Sequence, residues 1–157
     1  MLELETMSSK ETQAVGRFLG EKLAKGDIIC LYGELGTGKT CLSRGIALGM
    51  RISENITSPT FNIIKEYRGK YALYHIDVYR LGSSLDMLDL GYEEYFYGDG
   101  VVIIEWADII RDILPDDRLD IYLSRSNDDK REIKFIPKGD RYVIIVEEMK
   151  RIVCTGN

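Results

Sequence analysis

The chain has 157 residues, 45% of them hydrophobic, which matches one domain with a single substantial core. Its 21 Lys and Arg against 26 Asp and Glu give a formal net charge of −5, which argues against a protein that grips DNA or RNA phosphates across a broad face. No stretch approaches the roughly 18 uninterrupted apolar residues of a membrane span, and no secretory signal is recognisable. We therefore expect one cytoplasmic domain over residues 1–157, without membrane contact.

The three cysteines predict neither a zinc site nor a disulfide framework. Cys30, Cys41 and Cys154 form no C-x-x-C pair, and their number is odd. We expect reduced thiols that serve as small apolar residues.

The first half of the chain predicts a helix, a buried strand and a second helix. "SSKE" at residues 8–11 is a capping box, and apolar residues follow it at helical spacing until Gly26. "DIICLY" predicts a strand buried on both faces, and "KTCLSRGIALG" predicts a helix that ends at Gly49. The glycine-rich stretch "GELGTGKT" therefore lies between a strand and a helix.

The second half predicts a hairpin, another buried strand and a closing group of strands and helices. Two aromatic and β-branched runs flank Gly69 and predict an antiparallel pair, which makes the sheet mixed. Residues 82–100 are polar and turn-rich with short helical stretches. "VVIIEW" predicts a second fully apolar strand, and "ADIIRDILP" a short helix that ends before Pro115. From Leu119 onward we expect two strands joined by a turn and then a last helix near "RYVIIVEEMKR".

The glycine-rich stretch matches the phosphate-binding pattern G-x-x-x-x-G-K-[ST]. Glycines permit backbone angles and close approaches that a Cβ forbids, so successive N–H groups can point at phosphate oxygens. The following helix adds its positive N-terminal end. Lys39 can reach the β and γ phosphates, and the hydroxyl of Thr40 can bind Mg²⁺. The residues of this loop predicted to contact a nucleotide are Gly33, Glu34, Leu35, Gly36, Thr37, Gly38, Lys39, Thr40 and Cys41.

Two carboxylates stand at the ends of predicted strands. Asp77 lies in "YHIDVYR", and Glu105 ends "VVIIE" and fits better the pattern of four apolar residues followed by an acid. Either acid could instead be solvated or paired with Arg80. From the residues alone, which of the two touches a metal and which orients water stays open.

Three further features have a functional and a plain structural interpretation. "TSPT", residues 57–60, is either a Ser-Pro turn or a loop that senses the γ-phosphate, and composition favours the turn. His75, the only histidine, lies between apolar residues and fits a packed, hydrogen-bonded side chain better than a catalyst. Trp106, the only tryptophan, follows Glu105 and offers an optical reporter.

Five blocks in order resemble the bacterial TsaE family, also called YjeE: the glycine loop, "SPTF", "YHIDVYRL", "LGYEEYF" and "VVIIEW". The resemblance extends from "ETQAVG" to "REIKF". It implies an α/β fold of the P-loop NTPase type, with three layers and a mixed, mainly parallel central sheet flanked by helices. It also implies binding of ATP and Mg²⁺ and slow ATP hydrolysis in tRNA threonylcarbamoyladenosine synthesis. The implied partners are TsaB and TsaD, with tRNA reached only through them and no role for DNA.

The same resemblance assigns residue roles. It makes Lys39 the phosphate lysine, Thr40 and Glu105 the Mg²⁺ ligands, and Asp77 a carboxylate needed for hydrolysis. "SPT" becomes a switch-like loop. Ser9 to Thr12 would lie near the adenine, so Ser9 and Thr12 join the predicted contacts, and Arg131 of "KREIKF" would reach the nucleotide. Cys41 departs from the family, which often has a second threonine there.

A small P-loop kinase that phosphorylates a metabolite is the main alternative. Such kinases usually bring arginines from a closing lid to the γ-phosphate. Residues 82–100 occupy the place of a lid and contain no Arg or Lys, which weakens this interpretation. A GTPase is disfavoured because the chain has neither N-K-x-D nor D-x-x-G after a strand.

Overall fold

The computed structural model describes residues 1–34, 36–57, 63–79, 81, 83–127 and 129–155. A seven-stranded sheet runs through it in the order β1-β7-β6-β2-β5-β4-β3. The strands are β1 (Leu2–Thr6), β2 (Ile28–Tyr32), β3 (Ile64–Arg68), β4 (Ala72–Asp77), β5 (Val101–Glu105), β6 (Arg118–Arg125) and β7 (Arg131–Lys138). The helices are α1 (Ser9–Lys22), α2 (Lys39–Gly49), α3 (Leu85–Asp89), α4 (Tyr92–Phe96) and α5 (Asp140–Thr155), with a 3₁₀-helix over Ala107–Ile113.

The sheet is mixed, as the hairpin predicts. β6, β2, β5 and β4 form its parallel centre, and antiparallel partners extend both sides: β3 next to β4, and β7 with β1 next to β6. Five of the seven strands run in one direction, with β3 and β7 reversed. The predicted α/β class with a mixed sheet and flanking helices is confirmed.

Two apolar clusters, one on each face of the sheet, make the fold three-layered. Along β2, Ile29 and Leu31 pack into the cluster with α1, α2 and α5. Ile28 and Cys30 pack into the other cluster, with α4 and the 3₁₀-helix. Every residue of β2 and of β5 is buried, because a central parallel strand is covered on both faces. Within the described part of the chain, no helix is both long enough and apolar enough to cross a membrane.

The structure has a strand, β1, before α1, where the sequence predicts none. Leu2–Thr6 pairs antiparallel with β7 at the edge of the sheet. Its ends are buried, and its second and fourth residues are exposed. The sequence signal for this edge strand is weak. Charged residues occupy two of its five positions, so only a short alternation of apolar and charged residues indicates a strand.

α1 and α2 pack closely against each other. A Cβ built on Gly20 would lie 2.1 Å from the carbonyl oxygen of Ile46, and one on Gly45 would lie 2.2 Å from that of Gln13. Only glycine permits such an approach between the two backbones. The two helices therefore pack at backbone-to-backbone distance at these glycines.

Candidate functional site

A cavity of about 350 Å³ opens where β2, β4 and β5 end, at the start of α2. In parallel α/β sheets, ligands bind outside the carboxyl ends of the strands. The cavity is lined by Gly36, Thr37, Gly38, Lys39, Thr40, Cys41, Arg44, Asp77, Glu105, Trp106 and Arg131. Most of the loop and both predicted carboxylates thus meet in one place, and Leu35 lies outside the described residues.

A larger cavity of about 580 Å³ lies elsewhere, over β1, β6 and β7. Its lining carries three glutamates, Glu3, Glu5 and Glu132, with Lys134 as the one basic side chain. A surface with this charge repels phosphates. The smaller cavity is therefore the candidate site.

The loop backbone depends on glycine. Gly33 has a φ of 149°, and a Cβ on it would lie 2.6 Å from the carbonyl oxygen of Leu123. Gly38, with a φ of 102°, is the N-cap of α2 and provides no side-chain cap. The first turn of α2 contains no acidic residue either. The positive end of the helix dipole is therefore not neutralised by an acidic side chain of its own first turn, and it attracts an anion.

Lys39 is folded back onto the loop. Its side chain is largely buried, and Nζ donates to the carbonyl oxygens of Gly33 and Glu34, the second at 3.1 Å. Nζ also lies 4.2 Å from the centre of the Trp106 ring, a cation–π contact. Burial lowers the pKa of Lys39, and the nearby carboxylates Glu105 and Asp77 oppose that shift. A cation with so little solvent interacts strongly with any anion that enters the cavity.

Asp77 and Glu105 are side by side because their strands are parallel neighbours. They are direct partners in the register of β4 and β5, and both line the cavity. Burial raises the pKa of Asp77, the backbone N–H of Tyr79 lowers it through a 3.0 Å hydrogen bond, and the charge of Glu105 raises it. Glu105 is almost fully buried, and its Oε2 lies 2.6 Å from Nε2 of His75. His75 is thus a packed, hydrogen-bonded side chain, as its apolar setting predicts.

The predicted metal ligands lie within the same cavity. Thr40 is the second residue of α2 and lines the cavity with Glu105. Among the described residues, no three His, Cys, Asp or Glu side chains gather into a group that could hold a metal. Mg²⁺ usually binds one or two protein ligands together with substrate phosphates and water. One hydroxyl and one carboxylate beside a phosphate loop fit that donor set.

Of the predicted nucleotide contacts outside the glycine loop, some lie at the cavity and one does not. Arg131 lines the cavity. Ser9 is adjacent, because the thiol of Cys41 donates to its carbonyl oxygen at 3.1 Å. Thr12 is buried, and its hydroxyl bonds that of Thr6 at 2.6 Å, which ties α1 to β1. The structure therefore does not bring the Thr12 side chain to the cavity.

Cys41 lines the cavity as a partly buried free thiol. Burial raises its pKa, which the positive charges of Arg44 and Arg131 only partly offset. A raised pKa leaves less thiolate, the nucleophilic form, at neutral pH.

Arg44 is a cavity residue that the sequence interpretation missed. It lies one turn after Thr40 on α2, so the i, i+4 spacing places both on one helix face. Its Nε donates to the carbonyl oxygen of Ile56 at 2.9 Å, just before "SPT". Residues 58–60 of that predicted switch loop lie outside the described residues.

Comparison with known proteins gives a consistent result. The family model "Threonylcarbamoyl adenosine biosynthesis protein TsaE" matches residues 6–133. The tRNA threonylcarbamoyladenosine biosynthesis protein TsaE of Bacillus subtilis is 44% identical over 151 residues, covering 96% of this chain and 94% of the relative. The protein of the same name from Treponema pallidum is 44% identical over 126 residues, covering 80% and 93%. The crystal structure of Bacillus subtilis YdiB superposes with a TM-score of 0.81 at 42% identity, covering 96% of this chain and 94% of that one.

Proposed function

This chain belongs to the TsaE family of threonylcarbamoyl adenosine biosynthesis proteins, and we propose that it serves that pathway as a slow, Mg²⁺-dependent ATPase. The names of its relatives assign them to the synthesis of tRNA threonylcarbamoyladenosine. In this proposal the chain works in the cytoplasm with TsaB and TsaD. It reaches tRNA only through them, in keeping with its net charge of −5.

One observation carries the proposal: a cationic group of residues and an acidic group of residues line the same cavity. Lys39 and the start of α2 make up the cationic group, and Asp77 and Glu105 make up the acidic group. A polyphosphate needs the cationic group, and its metal ion needs the acidic group. An adventitious glycine turn would require neither.

Each residue has a role in this proposal. The N–H groups of the loop and Lys39 hold the phosphates. The Thr40 hydroxyl and the Glu105 carboxylate hold Mg²⁺, which when bound neutralises charge on the phosphate oxygens. Asp77, half-buried beside Glu105, orients a water molecule toward the γ-phosphate. Arg131, on the cavity lining, adds positive charge near the nucleotide.

A metabolite kinase is the alternative function, and no observation on the structure favours it. Experiment can exclude it. Residues 83–100, on α3 and α4, present exposed acids such as Asp89, Glu93 and Glu94. This is the opposite charge from the one that a γ-phosphate lid requires.

The test measures ATP hydrolysis by the chain alone and with TsaB and TsaD, with radiolabelled γ-phosphate traced to every product. We expect slow release of inorganic phosphate that the partners stimulate. Lys39→Ala should lose this activity. Lys22→Ala, which removes the same charge from a half-exposed site on α1, should keep it. A phosphorylated small molecule would support the kinase, and no ATP binding or turnover under either condition would refute the proposal.

A further inference from the structure

His75 and Glu105 form a fully buried pair behind the cavity. The side chains are 0% and 3% exposed, and Nε2 of His75 lies 2.6 Å from Oε2 of Glu105. His75 is in β4 and Glu105 ends β5, thirty positions apart in the chain. A contact this short between a ring nitrogen and a carboxylate is a charge-assisted hydrogen bond.

We propose that His75 is a positioning residue, which holds the Glu105 carboxylate in the orientation that binds the metal–nucleotide complex. The inference rests on the proposed function, in which Glu105 is a Mg²⁺ ligand. His75 itself touches neither nucleotide nor metal in this scheme, since it is absent from the cavity lining.

The sheet explains why this pair forms. Alternate residues of a strand point to one face. Leu73 of β4 and Val101 and Ile103 of β5 pack into the cluster on the α2 side, so His75 and Glu105, which continue those rows, point the same way. Both polar side chains thus lie on the α2 side of the sheet, Glu105 at the end of its row and His75 between Leu73 and Asp77 in the neighbouring row. A carboxylate in such surroundings needs a hydrogen-bond donor, because desolvation without one is costly.

Occupying one oxygen orients the other. The hydrogen bond engages Oε2, which limits rotation of the carboxylate and directs Oε1 by covalent geometry. Residues that hydrogen-bond to metal ligands commonly act this way, and their loss typically costs about 10- to 100-fold in metal affinity or activity. Asp77, the neighbour of Glu105 in the register, cannot take the place of His75 as the hydrogen-bond donor, because one carboxylate repels another.

The ring has one consistent proton arrangement. Nδ1 of His75 is buried with no hydrogen-bond partner among the described residues. A proton on Nδ1 would leave a donor unsatisfied, and a bare Nε2 would direct its lone pair at the carboxylate. The tautomer that satisfies both groups therefore has its proton on Nε2 and donates it to Glu105.

A matched pair of amide variants tests the positioning role. The side chain of His75→Gln can reach Glu105 Oε2 with an N–H, whereas that of His75→Asn is one methylene shorter and cannot. We expect the Mg²⁺ midpoint for ATP hydrolysis, and the Mn²⁺ affinity of the ATP complex followed by electron paramagnetic resonance, to weaken at least about 10-fold in the Asn variant. The Gln variant should recover most of that loss. ATP affinity in excess chelator should stay within about threefold for both.

Tyr142→Phe is the structural control. It removes another buried hydrogen bond, from Ile28 N–H to the Tyr142 hydroxyl at 2.8 Å, at the opposite end of β2 from the glycine loop. We expect a lower melting temperature and an unchanged Mg²⁺ midpoint. Equal metal affinity in the wild type and the Asn variant would overturn the positioning role alone. Absence of metal–nucleotide binding by the wild type would overturn the proposed function and this inference with it.

A second measurement needs no variant at the pair itself. Since His75 is the only histidine, ¹H–¹⁵N spectra of the wild-type imidazole contain one set of signals. We expect a slowly exchanging Nε2–H, an unprotonated Nδ1, and a shift of the Nε2–H signal when Mg²⁺ and ADP are added. A proton on Nδ1, or signals that do not respond to the metal complex, would overturn the inference even if the Asn variant failed to fold.

Discussion

Replacing Lys39 with alanine gives the sharpest test of the phosphate site. The residue is 7% exposed, and Nζ donates to the carbonyl oxygens of Gly33 and Glu34. Burial lowers its pKa, and the negative charges of three carboxylates, Glu105 and Asp77 among them, oppose that shift. The cation is therefore poorly solvated before a ligand arrives, so it gives up little hydration to bind a phosphate.

The magnitude follows from the bonds exchanged. A hydrogen bond to a charged group contributes about 1.5–3 kcal/mol net. Phosphate binding replaces two bonds from Lys39 to neutral carbonyls with stronger bonds to anionic oxygens. We therefore expect Lys39→Ala to lose about 2–3 kcal/mol of ATP binding free energy, which is roughly a 30- to 150-fold rise in the Kd for ATP.

Isothermal titration calorimetry with MgATP measures this change. Lys22→Ala is the matched control, because it also removes one positive charge but from a pair with Glu148 on the surface. Its Kd should stay within about twofold of wild type, since exposed ion pairs contribute little. A Lys39→Ala Kd within about threefold of wild type, with an unchanged melting temperature, would refute the assignment of Lys39 to the phosphates.

Three further outcomes are expected. Glu105→Ala should abolish Mg²⁺-dependent hydrolysis while some nucleotide binding persists, because the loop remains intact; unchanged hydrolysis in a phosphate-release assay would transfer the metal role to Asp77. Trp106 fluorescence should change on addition of ATP, since the cation against its ring turns toward the phosphates; a flat titration despite calorimetric binding would contradict this. Gly20→Ala should lower the free energy of unfolding by about 2–3 kcal/mol and the melting temperature by roughly 5–10 °C, because its Cβ would meet the Ile46 carbonyl at 2.1 Å. Calorimetry that finds wild-type melting would show that the α1–α2 contact is looser than described.

The pairing of Asp77 with Glu105 could be anticipated, because adjacent parallel strands bring their carboxyl ends to one edge. The partner of His75 could not. An apolar setting predicts a packed, hydrogen-bonded histidine, but the identity of its acceptor depends on which strands become neighbours. The same limit applies to Thr12. The resemblance locates its segment near the nucleotide. In the structure the Thr12 hydroxyl is instead hydrogen-bonded to Thr6 of β1, a strand that has only a weak signal in the sequence.

Arg44 shows that some signals were available in the sequence. Thr40 and Arg44 are four residues apart on a helix whose start was correctly predicted, so one face carries both. What spacing alone could not supply is the bond from Arg44 to the Ile56 carbonyl, which connects α2 to the chain that leads into "SPT".

Trp106 links the acidic and cationic residues of the cavity, because it follows Glu105 in the chain and its ring contacts Lys39. It directly follows Glu105 and has a φ of 61°, a conformation that costs energy in a residue with a bulky side chain. The turn carries its ring over Lys39 and against Tyr79, with the ring centres of the two aromatics 4.9 Å apart. A strained residue persists only where its surroundings compensate, and the ring of Trp106 contacts both Lys39 and Tyr79. Moving Lys39 onto a phosphate would remove the cation that faces the ring, so in the proposed function nucleotide binding acts on the end of β5 as well as on the loop.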